Sequence, residues 1–296
     1  MKRVVNRNTL PFIILFVIHT ALLIYTFGKN KNRKSLFILL LSNIGFAYFF
    51  EFFILNLFHS YEYKPNLFKK KYLDNILGAF LSQGVFVPFA SIFISSFGFG
   101  WKIKAMFAIY FAIVERIFIK LGVFKNNWWR TMYTVFLIPL YFKISESWYK
   151  GLIKGNSNIL FTSFLLMTWV TGLSVLNILG VLRKVRFGLG KIYSWREHFI
   201  ISTLYWFIIS IFTTYTIHQK PNWQGKIQSF LFMKGVDWFL IKMGIIKSHL
   251  TNGLFMNGLQ ILMLYLSVIY KNIIYKGQYA VSGEPPSQKI INYTNT

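Results

Sequence analysis

Two carboxylates, Glu115 and Asp237, stand at the same place in two copies of one stretch. The first copy is FAIVERIFIKLGVFK, residues 111–125, and the second is MKGVDWFLIKMGIIK, residues 233–247; they align without a gap at an offset of 122. Val114 falls on Val236, Ile119 on Ile241, Lys120 on Lys242 and Gly122 on Gly244. A charged side chain at the centre of an apolar helix in a bilayer costs at least about 2.5–3.5 kcal/mol, so such a carboxylate is paired, protonated or turned to water. Arg116 and Lys234 are the cations close by in sequence. Lys234 is three residues from Asp237, hence a neighbour on one helix face. One chemistry these four residues could carry is a paired ion or proton site between the two copies. The other is a helix clamp, in which each carboxylate neutralises a basic side chain. Arg116 and Lys234 do not occupy equivalent positions, which favours the clamp.

No catalytic constellation accompanies them. The chain has no H-E-x-x-H, no phosphate-binding glycine loop and no G-x-S-x-G. Without cysteine there is no disulfide, thiolate metal site or cysteine nucleophile. The five histidines, His19, His59, His198, His218 and His249, are scattered without metal-ligand spacing. The expectation is a non-enzymatic protein with no catalytic residues, metal site or cofactor.

The elements that must position the carboxylates are membrane helices. The chain is 55% hydrophobic and 14% charged, where a soluble domain carries about a quarter charged residues. Its apolar runs have the length of about 20 residues that spans a bilayer core. Unbroken runs, not alternating ones, argue for helices over a β-barrel. The reading is an all-α, polytopic transmembrane bundle of about nine helices: residues 11–28, 35–58, 72–99, 104–124, 128–145, 159–182, 197–217, 225–246 and 252–275. Residues 1–34 hold a basic start and the first helix. Residues 35–150 and 151–276 are two four-helix repeats, and 277–296 is a polar tail expected to be disordered. Four is an even number, so both repeats enter the membrane the same way and are parallel. Gly78–Ser82 and Ser91–Ser95 are small-residue pairs suited to close helix packing. Trp128, Trp129 and Trp148 read as an aromatic belt.

The net charge is +25. Lys and Arg are spread over many short loops as membrane anchors, which excludes a nucleic-acid patch. The expected partner is the lipid bilayer, with anionic head groups suited to those loops. Loop charge favours a cytoplasmic N-terminus by a small margin.

The loop Lys29-Asn30-Lys31-Asn32-Arg33-Lys34, the segment Glu115 to Gly122, and Trp128, Trp129 and Trp148 carry a resemblance. Over residues 10–150 the chain resembles small, uncharacterised multi-helix membrane proteins of spore-forming low-GC Gram-positive bacteria, here as a tandem duplication. The resemblance implies no reaction. It implies a bacterial cytoplasmic or spore inner membrane and a tie to sporulation or germination. The sequence thus points first to a structural or interaction component of that membrane. The alternative is a secondary transporter or channel with its path at Glu115 and Asp237.

Overall fold

A computed structural model describes residues 8–189, 194–220, 222–246 and 253–276. They form nine helices: α1 Leu10–Lys29, α2 Arg33–Leu57, α3 Lys71–Ser96, α4 Trp101–Lys120, α5 Thr131–Ile153, α6 Ser157–Val181, α7 Trp195–Gln219, α8 Trp223–Lys242 and α9 Gly253–Tyr275. The expected tail, 277–296, lies outside the described residues, as do residues 1–7 and Lys247.

Six of the nine, α1, α2, α3, α6, α7 and α9, are long and apolar enough to cross a membrane. This is an integral membrane protein. The other three carry more charge: Lys102, Lys104, Glu115, Arg116 and Lys120 on α4, Lys143, Glu146 and Lys150 on α5, and Lys226, Lys234, Asp237 and Lys242 on α8. Their outer faces are nonetheless apolar. Met106, Ile109, Ile113 and Ile117 form an exposed stripe on α4 at helical spacing. In a helix every backbone N–H finds its carbonyl within the segment, so these faces can meet lipid without polar loss.

Three helix ends depart from expectation by four residues or more, and α8, which stops at Lys242 instead of 246, repeats the shortfall of α4. Helix α5 runs to Ile153, well past Ser145. Glu146 pairs there with Lys143 and Lys150, three and four residues away, and with Lys104 of α4, which supports the extra turns. Helix α4 stops at Lys120 instead of running to Phe124. Gly122 takes a left-handed φ of 73°, and the N–H groups of Gly122 and Val123 return to the carbonyls of Ile119 and Phe118. This is a glycine-terminated helix end of the Schellman type.

That end is built twice. Gly244 has φ 70°, and the N–H groups of Gly244 and Ile245 return to Ile241 and Leu240. After Gly122 the chain forms strand β2, Phe124–Asn126, antiparallel to β1, Tyr61–Tyr63, with Tyr63 opposite Phe124. After Gly244, Ile246 makes an antiparallel bridge with Phe187. His59 and Arg183, which open the two partner segments, both have positive φ, 50° and 58°. Helix lengths correspond too: α2 and α6 have 25 residues each, α4 and α8 have 20, and α5 and α9 have 23.

The halves meet where α2 packs on α6. In the first half, α1 lies against α3 and α4, with Phe12 edge-on to Phe118 and His19 among Phe86, Tyr110 and Phe111. His19 bonds the Leu15 carbonyl at 2.7 Å, a packing role. In the second half α7 packs directly on α8. Ser91 and Ser95, one of the small-residue pairs, do more than allow close approach. With Asn43 of α2 and Ser145 of α5 they form a buried polar network that joins three helices.

Candidate functional site

The structure pairs Lys234 with Asp237 and separates them from Glu115 and Arg116. Asp237 sits in a closed cluster: Tyr205 of α7 donates to Oδ1 at 2.6 Å, Gln260 of α9 donates to Oδ2 at 2.9 Å, and Lys234 lies 3.3 Å from Oδ2. Lys234 also donates to Asn257 of α9. These contacts tie α7, α8 and α9 together, which is the clamp geometry.

Glu115 has different neighbours. Thr131 donates to its Oε1 at 2.8 Å, Thr134 donates to Oε2, and Asn126 reaches Oε1 at 3.4 Å. Arg116 is exposed and makes no ion pair with it. The expectation that Arg116 would partner Glu115 is corrected. Consecutive helix residues point about 100° apart, so a residue one step along the helix does not share its face. No side chain bridges Glu115 and Asp237 among the described residues, and each is held within its own half.

Glu115 lies on the wall of a cavity of about 430 Å³ inside the first half. Its lining is mostly aromatic and aliphatic, including Phe12, Phe86, Phe118 and Trp129. The polar groups are Tyr61, Tyr63, Ser82, Gln83, Glu115, Thr134 and Tyr141. Trp129, expected in a belt, is instead buried here, in contact with Phe50, Tyr61 and Tyr133. Its indole donates to Thr134, the residue that holds Glu115. Trp128 does stay exposed and donates to the Phe58 carbonyl that ends α2.

A second cavity, of about 600 Å³, lies between the halves, walled by α2, α3, α6 and α7. Glu51 of α2 is on its wall. The carboxylate is buried, and Tyr61 donates to its Oε2 at 2.5 Å. Tyr61 itself lines the first cavity, and Gln83 of α3 lines both. Glu51, Tyr61 and Gln83 therefore form the partition between the two spaces. Burial and the adjacent Glu51 carboxylate hold the Tyr61 phenol well above its usual pKa, so it stays protonated and donates. The Oε1 oxygen of Glu51 is buried without a hydrogen-bond partner. Neither cavity has a Lys or Arg in its lining.

The backbone is irregular at this partition. Helix α2 turns π-helical over Phe52–Leu57, directly after Glu51, and α3 does so over Ser82–Phe86, around Gln83. Helices α6 and α7, which correspond to them, are α-helical throughout. Short π-helical segments inside α-helices concentrate at functional sites. The positions that correspond to Glu51, Tyr61 and Gln83 in the second half, at an offset of 124, are Val175, Val185 and Phe207. The polar trio therefore has no polar counterpart at that offset.

Glu51 falls inside the expected second helix, 35–58, near its end, and does not stand out there by spacing. A signal was present. Within four residues on either side Glu51 has no Lys or Arg, unlike Asp237 and Glu146. The strand that brings Tyr61 to it had none, because three residues in a polar loop carry no periodicity. Comparison with protein-family models, curated proteins and solved structures returned no match.

Proposed function

We propose that this integral membrane protein admits a small molecule to the cavity between its halves, as a carrier or channel does. Glu51 is the charged group of that path and Gln83 its neutral neighbour. One observation carries the reading: a buried carboxylate with an unpartnered oxygen stands on the wall of a space of about 600 Å³. Pockets of about 300–1,000 Å³ are the size that takes small ligands. Broken helices that line a site between two halves are a recurring arrangement in transporters. The recurring helix lengths and glycine corners support a duplicated origin of the halves. In this reading the second half, with apolar residues at the corresponding positions, is the supporting copy. The path thus runs at Glu51, not at Glu115 and Asp237.

A second reading, a structural membrane component, draws support from the closed cluster around Asp237, which leaves that carboxylate nothing to bind. Labelling separates the two. The chain has no cysteine, so Glu51→Cys can be treated with a membrane-impermeant, water-soluble thiol reagent. Phe142→Cys, at a fully buried position, is the control. The transport reading expects Glu51→Cys to label in folded protein while Phe142→Cys labels only after denaturation. A Glu51→Cys that stays dark until the protein is denatured removes the path and leaves the structural reading.

A further inference from the structure

We infer that the molecule admitted to the cavity between the halves is an organic cation, an amine or ammonium on an apolar body, held at Glu51. This rests on the reading of that cavity as a ligand site. The first argument is charge. The chain has 33 Lys and Arg against 8 acidic residues, so a basic partner is the cheapest thing for a buried carboxylate to find. The other acidic groups among the described residues are met. Glu62 has Lys64, Glu146 has Lys104, Lys143 and Lys150, and Asp237 has Lys234. Asp74 accepts three backbone N–H groups, Glu197 closes a capping box at the start of α7, and Glu115 accepts two threonine hydroxyls. Glu51 has the Tyr61 phenol and the Gln83 amide beside it, and no ion pair among the described residues.

The second argument is the unpartnered Oε1. A buried acceptor with no donor is costly, and a charged one more so. An N–H of a bound ammonium would satisfy it. The third is the rest of the wall. Tyr48, Ser174, Asn177 and Thr203 offer neutral oxygens, while Phe52 and Phe80 offer aromatic faces. Aromatic faces attract cations, and ammonium ligands are recognised in this way. With no Lys or Arg in the lining, nothing repels a positive ligand.

The test uses full-length protein in detergent micelles and equilibrium dialysis with 4-phenylbutylammonium, a cation that carries N–H donors on an apolar body. 4-Phenylbutanol serves as the neutral counterpart. Saturable cation binding is expected in the wild type, at least tenfold weaker in Glu51→Gln, with the neutral probe unaffected. Ser174→Lys, which places a cation on the facing wall, should lose cation binding in the same way. It keeps the test alive if Glu51→Gln does not give monodisperse protein. Equal binding of both probes, unchanged by either substitution, overturns the cation inference and leaves the ligand cavity standing. Absence of cation binding together with labelling of Glu51→Cys also overturns it, and leaves Glu51 as a group that holds only a proton. If neither probe binds and Glu51→Cys stays unlabelled, the cavity reading itself has failed.

Discussion

Tyr61 and Glu51 meet across the wall between two cavities. The phenol belongs to the space inside the first half, the carboxylate to the space between the halves, and their 2.5 Å hydrogen bond closes one from the other. The two residues are brought together by different means. Glu51 is fixed by the last regular turn of α2, just before its π-helical end. Tyr61 is fixed by a strand of three residues, pinned to β2 on one side and to α3 on the other.

Tyr61→Phe removes the hydroxyl donor to Glu51 Oε2. A typical hydrogen bond contributes about 0.5–1.5 kcal/mol net and a buried acceptor left without its donor costs about 1–3 kcal/mol, so the expected loss of stability is about 1–3 kcal/mol. It would be read as a lower unfolding midpoint in detergent. Combined with Glu51→Gln in a double-mutant cycle, the two changes should couple by about 0.5–3 kcal/mol, as residues in direct contact do. Additive effects would mean that the two side chains do not share a bond.

Asp237→Asn should destabilise the second half by about 1–3 kcal/mol, the penalty of weakening a buried hydrogen-bonded group. Lys234→Met should cost less. The lysine side chain is 33% exposed, and partly exposed ion pairs contribute about 0–1 kcal/mol. Neither change should alter labelling of Glu51→Cys, because no residue of the cluster lines the cavity between the halves. A labelling rate that follows Asp237 would tie the second half to the path and revive a paired site.

Apolar runs made the nine helices and their order legible, and the gapless match of residues 111–125 to 233–247 anticipated the recurring helix ends. Glu115 and Asp237 stood out because acidic residues are few. Their partners did not. Thr131, Thr134, Tyr205 and Gln260 lie on other helices, and the rotation of each helix about its own axis is set by packing, which local spacing does not encode. Arg116 misled for that reason. Trp129 misled because tryptophan near a helix start reads as a belt residue unless a neighbouring aromatic cluster draws it inward. The π-helical segments leave no sequence mark at all: α2 and α6 have equal lengths, though only α2 is irregular.

Gly122→Ala and Gly244→Ala test the paired helix ends. An added Cβ meets nothing within 4 Å at either site, so strain at φ 73° and 70° acts alone. A left-handed conformation costs an L-residue about 1–2 kcal/mol. Both substitutions should lower the unfolding midpoint by similar amounts. Gly235→Ala, also in open space but at an ordinary helical φ inside α8, is the control and should not lower the midpoint. A neutral Gly244→Ala beside a damaging Gly122→Ala would mean that the two ends are not equivalent.

Gly78→Ala strikes at the delivery of Tyr61. A Cβ on Gly78 would lie 2.2 Å from Cβ of Tyr63 and 2.7 Å from its Cγ. Tyr63 belongs to the strand that carries Tyr61, so the ring cannot move aside without moving the strand from α3. Overpacking of this kind costs about 1–3 kcal/mol. The loss of stability is only half of the expectation. As the strand shifts, the phenol withdraws from Glu51, and Glu51→Cys in the Gly78→Ala background should label faster than in the parent. A variant that melts lower but labels at the parental rate would show that the strand supports the fold without guarding the carboxylate. One that melts like the parent would show that the strand and α3 do not approach as closely as the structure has them.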